Sequence, residues 1–200
     1  MMEGFNFLLA GVGGQGTVLA SDVLAEVGME AGYDVKKSDV LGLAVRGGSV
    51  VSHIRWGETV HSPVITEGQV DYLVGFEMLE GLRWLKQLKP QGAVVVNRQR
   101  IPPVSVISGE AIYPSDQEII DALSMTTKHY YLIPGLMLAQ KLGNAKVVNL
   151  ILLGSLSVLL KISAGIWESA INRTVPANLV DLNLKAFHAG RSAMKEIRNS

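Results

Sequence analysis

Phe5-Asn6-Phe7-Leu8-Leu9-Ala10-Gly11-Val12-Gly13-Gly14-Gln15-Gly16-Thr17-Val18 is the stretch whose reading decides the fold. Its first half is an apolar run closing at Gly11, and after Gly16 the apolar positions Val18, Leu19, Val23, Leu24 and Val27 recur at helical spacing. The pattern is therefore a strand, a glycine turn and a helix. Gly11, Gly13 and Gly16 satisfy G-x-G-x-x-G in the context that gives the motif meaning, directly after a strand and opening a helix. Gly11 permits the tight turn, Gly13 lets a phosphate or carboxylate approach the backbone, and Gly16 lets the helix pack on the strand. The free N–H groups and the helix dipole then face the ligand. A tight turn that binds nothing is the competing reading.

Working outward, the same segment falls short of two neighbouring motifs. Gly11 and Gly16 bracket four residues as in a P-loop, but Thr17-Val18 stands where Lys followed by Ser or Thr is required, which excludes nucleotide hydrolysis of that kind. For NAD an acidic residue is expected about 20 positions on, to hold the ribose hydroxyls. Lys36-Lys37-Ser38 occupies that place and Asp39 comes late. The two lysines suit a ribose phosphate, as in NADP or coenzyme A, or are simply solvated.

A weak strand is expected around residues 33–36, then a glycine-rich functional loop from Ser38 to Gly48, then a strand over Ser49 to Trp56 by its alternation. Gly57-Glu58 reads as a turn into a further strand. Asp71 to Phe76, Glu77 to Leu88 and Gly92 to Asn97 form a βαβ pattern punctuated by Pro90-Gln91-Gly92. Ser115-Asp116-Gln117-Glu118 is a capping box opening a helix, and Tyr130 to Ile133 is the last strand. Everything after Pro134 reads helical. The expected architecture is α/β: a Rossmann-like, mostly parallel sheet with helices on both faces and a helical C-terminal layer, in one domain over residues 1–200.

Arg46-Gly47-Gly48-Ser49 is the second chemical feature, an arginine before paired glycines at the mouth of a strand. Arginine offers a forked donor to carboxylate or phosphate, and the glycines allow close approach. A hairpin salt bridge is the plainer alternative. Glu77 falls just past a strand end, where such sheets bind ligands, and equally at a helix start, where glutamate is favoured. His53, His61, His129 and His188 have no metal-ligand spacing and no serine sits in G-x-S-x-G, so neither a metal site nor a nucleophile is expected.

Composition narrows the function further. Two hundred residues carry 18 Lys plus Arg against 18 Asp plus Glu, so no basic field exists for nucleic acid. Only 18% of residues are charged while 48% are hydrophobic, which points to a surface covered by a partner and is compatible with a homodimer when that partner is missing. Cysteine is absent, which removes disulfides, thiolate nucleophiles and Cys-ligated zinc or iron–sulfur clusters. The longest greasy stretch, Val147 to Leu160, is too short to span a bilayer. A cytoplasmic location is expected, with no membrane contact.

Gly-Val-Gly-Gly-Gln-Gly at 11–16, followed by Arg46-Gly47-Gly48-Ser49-Val50-Val51-Ser52-His53-Ile54-Arg55, resembles the gamma domain of the 2-oxoacid:ferredoxin oxidoreductase family. It is most similar to the free-standing form of that domain in indolepyruvate-type enzymes. The resemblance extends through the 71–77 segment, the Asn97 strand end, the Asn149-to-Gly154 helix and the Asn183-to-Gly190 ending. Val45, where many relatives carry glutamine, and Asp39, where glutamate is common, are departures that bear on the substrate.

The resemblance implies CoA-dependent oxidative decarboxylation of a 2-oxoacid to acyl-CoA and carbon dioxide, with electrons passing to ferredoxin. It implies a partner, a large alpha subunit carrying thiamine diphosphate, Mg2+ and 4Fe-4S clusters, none of them bound by this chain. In that reading the chain has no catalytic residue and is inactive alone. Gly11, Gly13, Gly14, Gln15, Gly16, Arg46, Gly47, Gly48 and Ser49 would line a shared pocket for coenzyme A or the 2-oxoacid. Two other readings stand beside it: a self-sufficient NADP-binding reductase or ligand-binding module gripping the 2′-phosphate with Lys36 and Lys37, and a purely architectural protein.

In the shared-pocket reading, Arg46→Ala in the assembled enzyme raises KM for coenzyme A or the 2-oxoacid about tenfold, as expected for loss of one charged hydrogen bond. Steady-state kinetics with unchanged parameters for both substrates would remove Arg46 from that role.

Overall fold

The computed structural model describes residues 4–42 and 48–199. β1 (Phe5–Val12) leads through the glycine turn into α1 (Thr17–Glu30), followed by β2 (Asp34–Leu41), β3 (Ser49–Gly57) and β4 (Val70–Gly75). α2 (Met78–Arg83), a single 3-10 turn and β5 (Leu88–Asn97) come next, then α3 (Val104–Ile107), α4 (Asp116–Thr126) and β6 (Tyr130–Ile133). The remainder is α5 (Gly135–Lys141), α6 (Val148–Ser157), α7 (Ala164–Thr174) and α8 (Val180–Asn199).

The strands form one sheet in the order β2-β3-β1-β4-β5-β6. β1, β4, β5 and β6 pair in parallel, whereas β3 runs antiparallel to both β1 and β2. The expected parallel sheet is present and carries one reversed strand. Strand periodicity divides the core into two layers. Phe7 and Leu9 of β1 pack with α1 and α5 to α8, while Leu8 and Ala10 pack on the opposite face with α2 and α4. All four side chains are fully buried, as the central strand of a doubly covered sheet requires.

Three expectations need correction. Among the described residues, 58–69 form no strand, so Gly57-Glu58 does not open a hairpin. The functional loop placed at 38–48 begins as sheet, because β2 continues to Leu41 and pairs with β3 down to Val50. Lys36, Lys37, Ser38 and Asp39 hid this strand from the hydrophobic pattern; β2 is an edge strand, where polar and charged residues are tolerated and useful. The helix expected over 77–88 is also shorter, since Leu88 already pairs with Val70 in the sheet. The capping box is present as read: the Ser115 hydroxyl accepts from the Glu118 amide, and the Glu118 carboxylate accepts from the Ser115 amide.

α6 is buried at all ten positions and crosses α8. The crossing depends on two glycines. A Cβ at Gly154 would sit 2.0 Å from the Phe187 carbonyl oxygen, and one at Gly190 would sit 1.9 Å from that of Ile151. The Ser155 hydroxyl donates across the contact to the Gly190 carbonyl at 3.1 Å as well as to Ile151 at 3.0 Å. No helix among the described residues is long and apolar enough to cross a membrane.

An alanine in a helix interior ordinarily stabilises relative to glycine by about 1 kcal/mol. At Gly190 the backbone contact reverses the sign. Gly190→Ala is expected to cost about 1–3 kcal/mol net and to lower Tm by several degrees, at roughly 2–4 °C per kcal/mol for a chain of this size. A thermal melt with an unchanged or higher Tm would contradict the close crossing.

Candidate ligand site at the carboxyl edge of the sheet

β1 and β4 are parallel neighbours, yet the helices that follow them lie on opposite faces of the sheet. Their carboxyl ends therefore flank a crevice, the place where open α/β sheets bind ligands. The glycine turn stands in it. Gly14 and Gly16 have φ of 103° and 76°, a left-handed backbone that a side chain disfavours, and Gly16 serves as the N-cap of α1 without any side-chain cap. By helical geometry the first-turn amides of α1 lack intrahelical acceptors, and no acidic residue occupies that turn to satisfy the dipole.

The turn is fixed from three sides. The Gly13 amide donates to the Gly48 carbonyl at 2.8 Å, joining the turn to the start of β3. Gln15 is a clasp: its Oε1 accepts from the Val12 amide at 2.8 Å and its Nε2 donates to the Phe76 carbonyl at 2.9 Å. Asn149 of α6 donates to the Gly16 carbonyl at 3.4 Å, and a Cβ on Gly16 would lie 2.7 Å from that amide nitrogen. Val12, Gly13, Gly16, Thr17, Leu41 and Val50 line a cleft of about 380 Å³ on one side of Gly14. A smaller cleft of about 180 Å³, reaching Gln99 and Lys146, lies on the other.

Of the residues read from sequence as a site, 11 to 16, Gly48 and Ser49 converge here, while Arg46 and Gly47 lie outside the described residues. Within this group Gln15 and Ser49 hold the structure together; the Ser49 hydroxyl donates to the buried Glu80 carboxylate at 2.6 Å. Glu77 is likewise structural and buried. It accepts from the Glu80 and Ile101 amides, each at 3.0 Å, and from the Tyr113 hydroxyl. Burial first, and then the Glu77 carboxylate, push the Tyr113 hydroxyl above its ordinary pKa and keep it a donor.

Three contributors were missed from sequence. Asn97, fully buried at the end of β5, donates to the Phe76 carbonyl at 3.0 Å and accepts from the Gly135 amide at 3.1 Å. Its signal is a lone amide closing an apolar strand. Asn149 has a similar signal, an amide in the first turn of a helix whose next five residues, 150 to 154, carry no polar side chain. Thr17 lies buried at the base of the cleft with no hydrogen-bond partner for Oγ1 among the described residues. The fingerprint ends one residue before it.

The lysines that suited a ribose phosphate are engaged elsewhere. Lys37 bridges Asp22 and Asp39, and Lys36 pairs with Asp34. Burial opposes the charge on Lys37, but hydrogen bonds from its ammonium to Asp22 and Asp39 hold its pKa above the ordinary value. Burial also opposes ionisation of Asp39, yet hydrogen bonds from Ser52 and Lys37 hold that carboxyl below its usual value. His53 is shifted down by burial, and its Nδ1 accepts from the Ile65 amide at 3.4 Å. Among the described residues no three acidic, histidine or cysteine side chains are grouped to hold a metal.

Fold and site together define a doubly wound α/β protein with a glycine turn at its switch point, the place where such sheets receive ligands. The family model described as pyruvate ferredoxin/flavodoxin oxidoreductase matches residues 6–193, and the chain belongs to that family. It is 36% identical over 201 residues to the indolepyruvate oxidoreductase subunit IorB of Pyrococcus horikoshii, covering 99% of this chain and 100% of that one. Two solved structures share the fold. The gamma subunit of keto/oxoacid ferredoxin oxidoreductase from Geobacter sulfurreducens superposes with a TM-score of 0.71 at 22% identity, covering 96% of this chain and 99% of that chain. The 2-oxoglutarate:ferredoxin oxidoreductase of Magnetococcus marinus gives 0.75 at 19% identity, covering 98% of this chain but 32% of that one.

The shared Phe76 carbonyl predicts unequal costs for its two donors. Each substitution unpairs one backbone amide, that of Gly135 in a buried bond for Asn97→Leu, expected to cost about 2–3 kcal/mol, and that of Val12 in a part-buried bond for Gln15→Leu, expected to cost about 1 kcal/mol. Urea unfolding of both variants tests this; equal losses would show that the buried amide carries no special weight.

Proposed function

We propose that this chain is the small subunit of a 2-oxoacid ferredoxin oxidoreductase of the indolepyruvate type, and that its carboxyl-edge crevice forms one wall of a pocket completed by a larger chain. Family membership over residues 6–193 supports the oxidoreductase reading, together with full-length similarity to a subunit named for indolepyruvate. The observation that carries the wall reading is the uncapped N-terminus of α1, framed by Gly14 and Gly16 and lacking any acid of its own.

Thiamine diphosphate with Mg2+ supplies the carbanion chemistry of such an enzyme, and iron–sulfur clusters carry its electrons to ferredoxin. This chain's residues do not fit those groups. Without cysteine it cannot ligate a cluster through thiolate, and its described residues offer no acidic grouping for a metal. Both belong on the larger subunit. What this chain offers is binding and enclosure. The first-turn amides of α1 hold an anionic group of coenzyme A or of the 2-oxoacid, beside the Thr17 side chain that lines the cleft. Val12, Leu41 and Val50 give the cleft an apolar flank that excludes water once the partner closes over it. With Lys36 and Lys37 engaged in ion pairs, nothing favours a self-sufficient NADP reductase.

The test is co-expression with the larger subunit, anaerobic purification, and dye or ferredoxin reduction with indolepyruvate and pyruvate, each with and without coenzyme A. Activity is expected only with both chains and only with coenzyme A. Failure to form a complex, together with saturable NADPH binding by the isolated chain, would overturn the reading.

A further inference from the structure

A second cavity lies at the opposite, amino edge of the sheet, and an irregular strand creates it. Leu88 of β5 pairs with Val70 of β4, but the next matched pair is Ala93 with Tyr72, so Lys89, Pro90, Gln91 and Gly92 all stand opposite the single residue Asp71. Proline cannot donate to the ladder, which suits it to such an excursion. Gly92 lets the chain return, since a Cβ there would lie 2.8 Å from the Leu88 side chain and 3.0 Å from the Val70 carbonyl. The buried Thr127 hydroxyl fixes the return point by donating to the Gly92 carbonyl at 2.7 Å. Strand irregularities of this kind concentrate beside binding sites, where they re-aim side chains.

The excursion opens a cavity of about 400 Å³. That volume falls within the range of small-molecule sites, roughly 300–1,000 Å³. Phe5, Tyr72 and Tyr131 supply flat aromatic walls, and Lys89, His129 and Arg198 stand around it. Among the described residues Asp71 is the only acid lining it, and its carboxylate accepts from the Asn6 backbone amide at 2.7 Å and pairs with Lys89 at 2.6 Å. The Asp71–Lys89 pair is neutral as a unit, which leaves the Arg198 guanidinium as the cation of the lining without an acidic partner among the described residues. That group donates to the Val158 carbonyl at 3.4 Å and has five donors in a fixed fork. An adjoining cleft of about 250 Å³ shares Phe5, Tyr72 and Leu159 and extends the aromatic surface to Tyr33.

We propose that this amino-edge cavity binds a small aromatic carboxylate, its ring against Tyr72, Tyr131 and Phe5 and its carboxylate on Arg198. The site is separate from the glycine-loop crevice by the length of β1, eight residues or roughly 25 Å. It does not depend on the function proposed above.

The experiment is an amide NMR titration of the full chain with phenylacetate, with acetate and benzylamine as controls lacking the ring or the negative charge. Phenylacetate is expected to give saturable shifts at Tyr72, Gly92 and Tyr131 with none at 13–17, and neither control to bind at the same concentration. Arg198 is exposed, so Arg198→Gln keeps the fold, checked by an unchanged melt, and is expected to weaken binding about tenfold. No saturable shifts up to about 10 mM, shifts confined to 13–17, equal binding of benzylamine, or full affinity in Arg198→Gln would each overturn the proposal.

Discussion

One backbone carbonyl organises the carboxyl edge of this protein. The oxygen of Phe76, just past β4, accepts from Gln15 of the glycine turn and from Asn97 at the end of β5, while Asn97 also accepts from the first amide of α5. Three parallel strand ends and the helix after the fourth are thus joined through two amide side chains. Such groups cannot be moved singly. Removing either leaves a donor or acceptor without its partner in a region that water reaches poorly. The crevice inherits its shape from this junction, and any ligand it receives meets a surface already set.

The relation between sequence and structure divides along the same line. Strands and helices with a regular apolar period were legible: β1, α1, β6, α4 with its capping box, and the long C-terminal helices. β2 was legible only in its first residues, as the weak strand expected at 33–36, because an edge strand bearing Lys36, Lys37, Ser38 and Asp39 owes the rest of its conformation to pairing with β3 and has little hydrophobic pattern of its own. The 77–88 segment carried leucines at helical spacing, yet its last residue was claimed by the sheet. Glycines announced the candidate site, but the side chains that hold it did not announce themselves. Gln15 and Ser49, read from sequence as ligand contacts, also hold protein groups, Gln15 the Val12 amide and the Phe76 carbonyl and Ser49 the Glu80 carboxylate. Asn97 and Asn149, which do comparable work, sit inside apolar runs where a single amide is easily passed over.

Composition and geometry agree on a division of labour. The chain has no cysteine, and Gln15, Asn97 and Asn149 spend their polar groups on positioning backbone. Six of its large exposed apolar side chains, Val40 and Leu41 at the carboxyl end of β2, Val104, Ile107 and Ile112 after β5 and Met137 after β6, fall at or beyond carboxyl ends of strands, the edge that the proposed partner would cover. Near-zero net charge fits association through such a surface better than long-range steering.

The amino-edge cavity has a further meaning for chain connectivity. Phe5, at the start of β1, and Arg198, one residue from the end of α8, line the same hollow, so the two ends of the described chain approach one another on the side away from the glycine turn. Adjacent ends are the condition under which a domain can be spliced into a longer polypeptide or circularly permuted. The fold can therefore sit as a separate subunit or as a segment of a larger chain, as the partial coverage of the longer Magnetococcus chain shows for the fold, without disturbing its carboxyl edge. Genetic fusion and fission are both open to it, and each would alter only the surroundings of the opposite cavity.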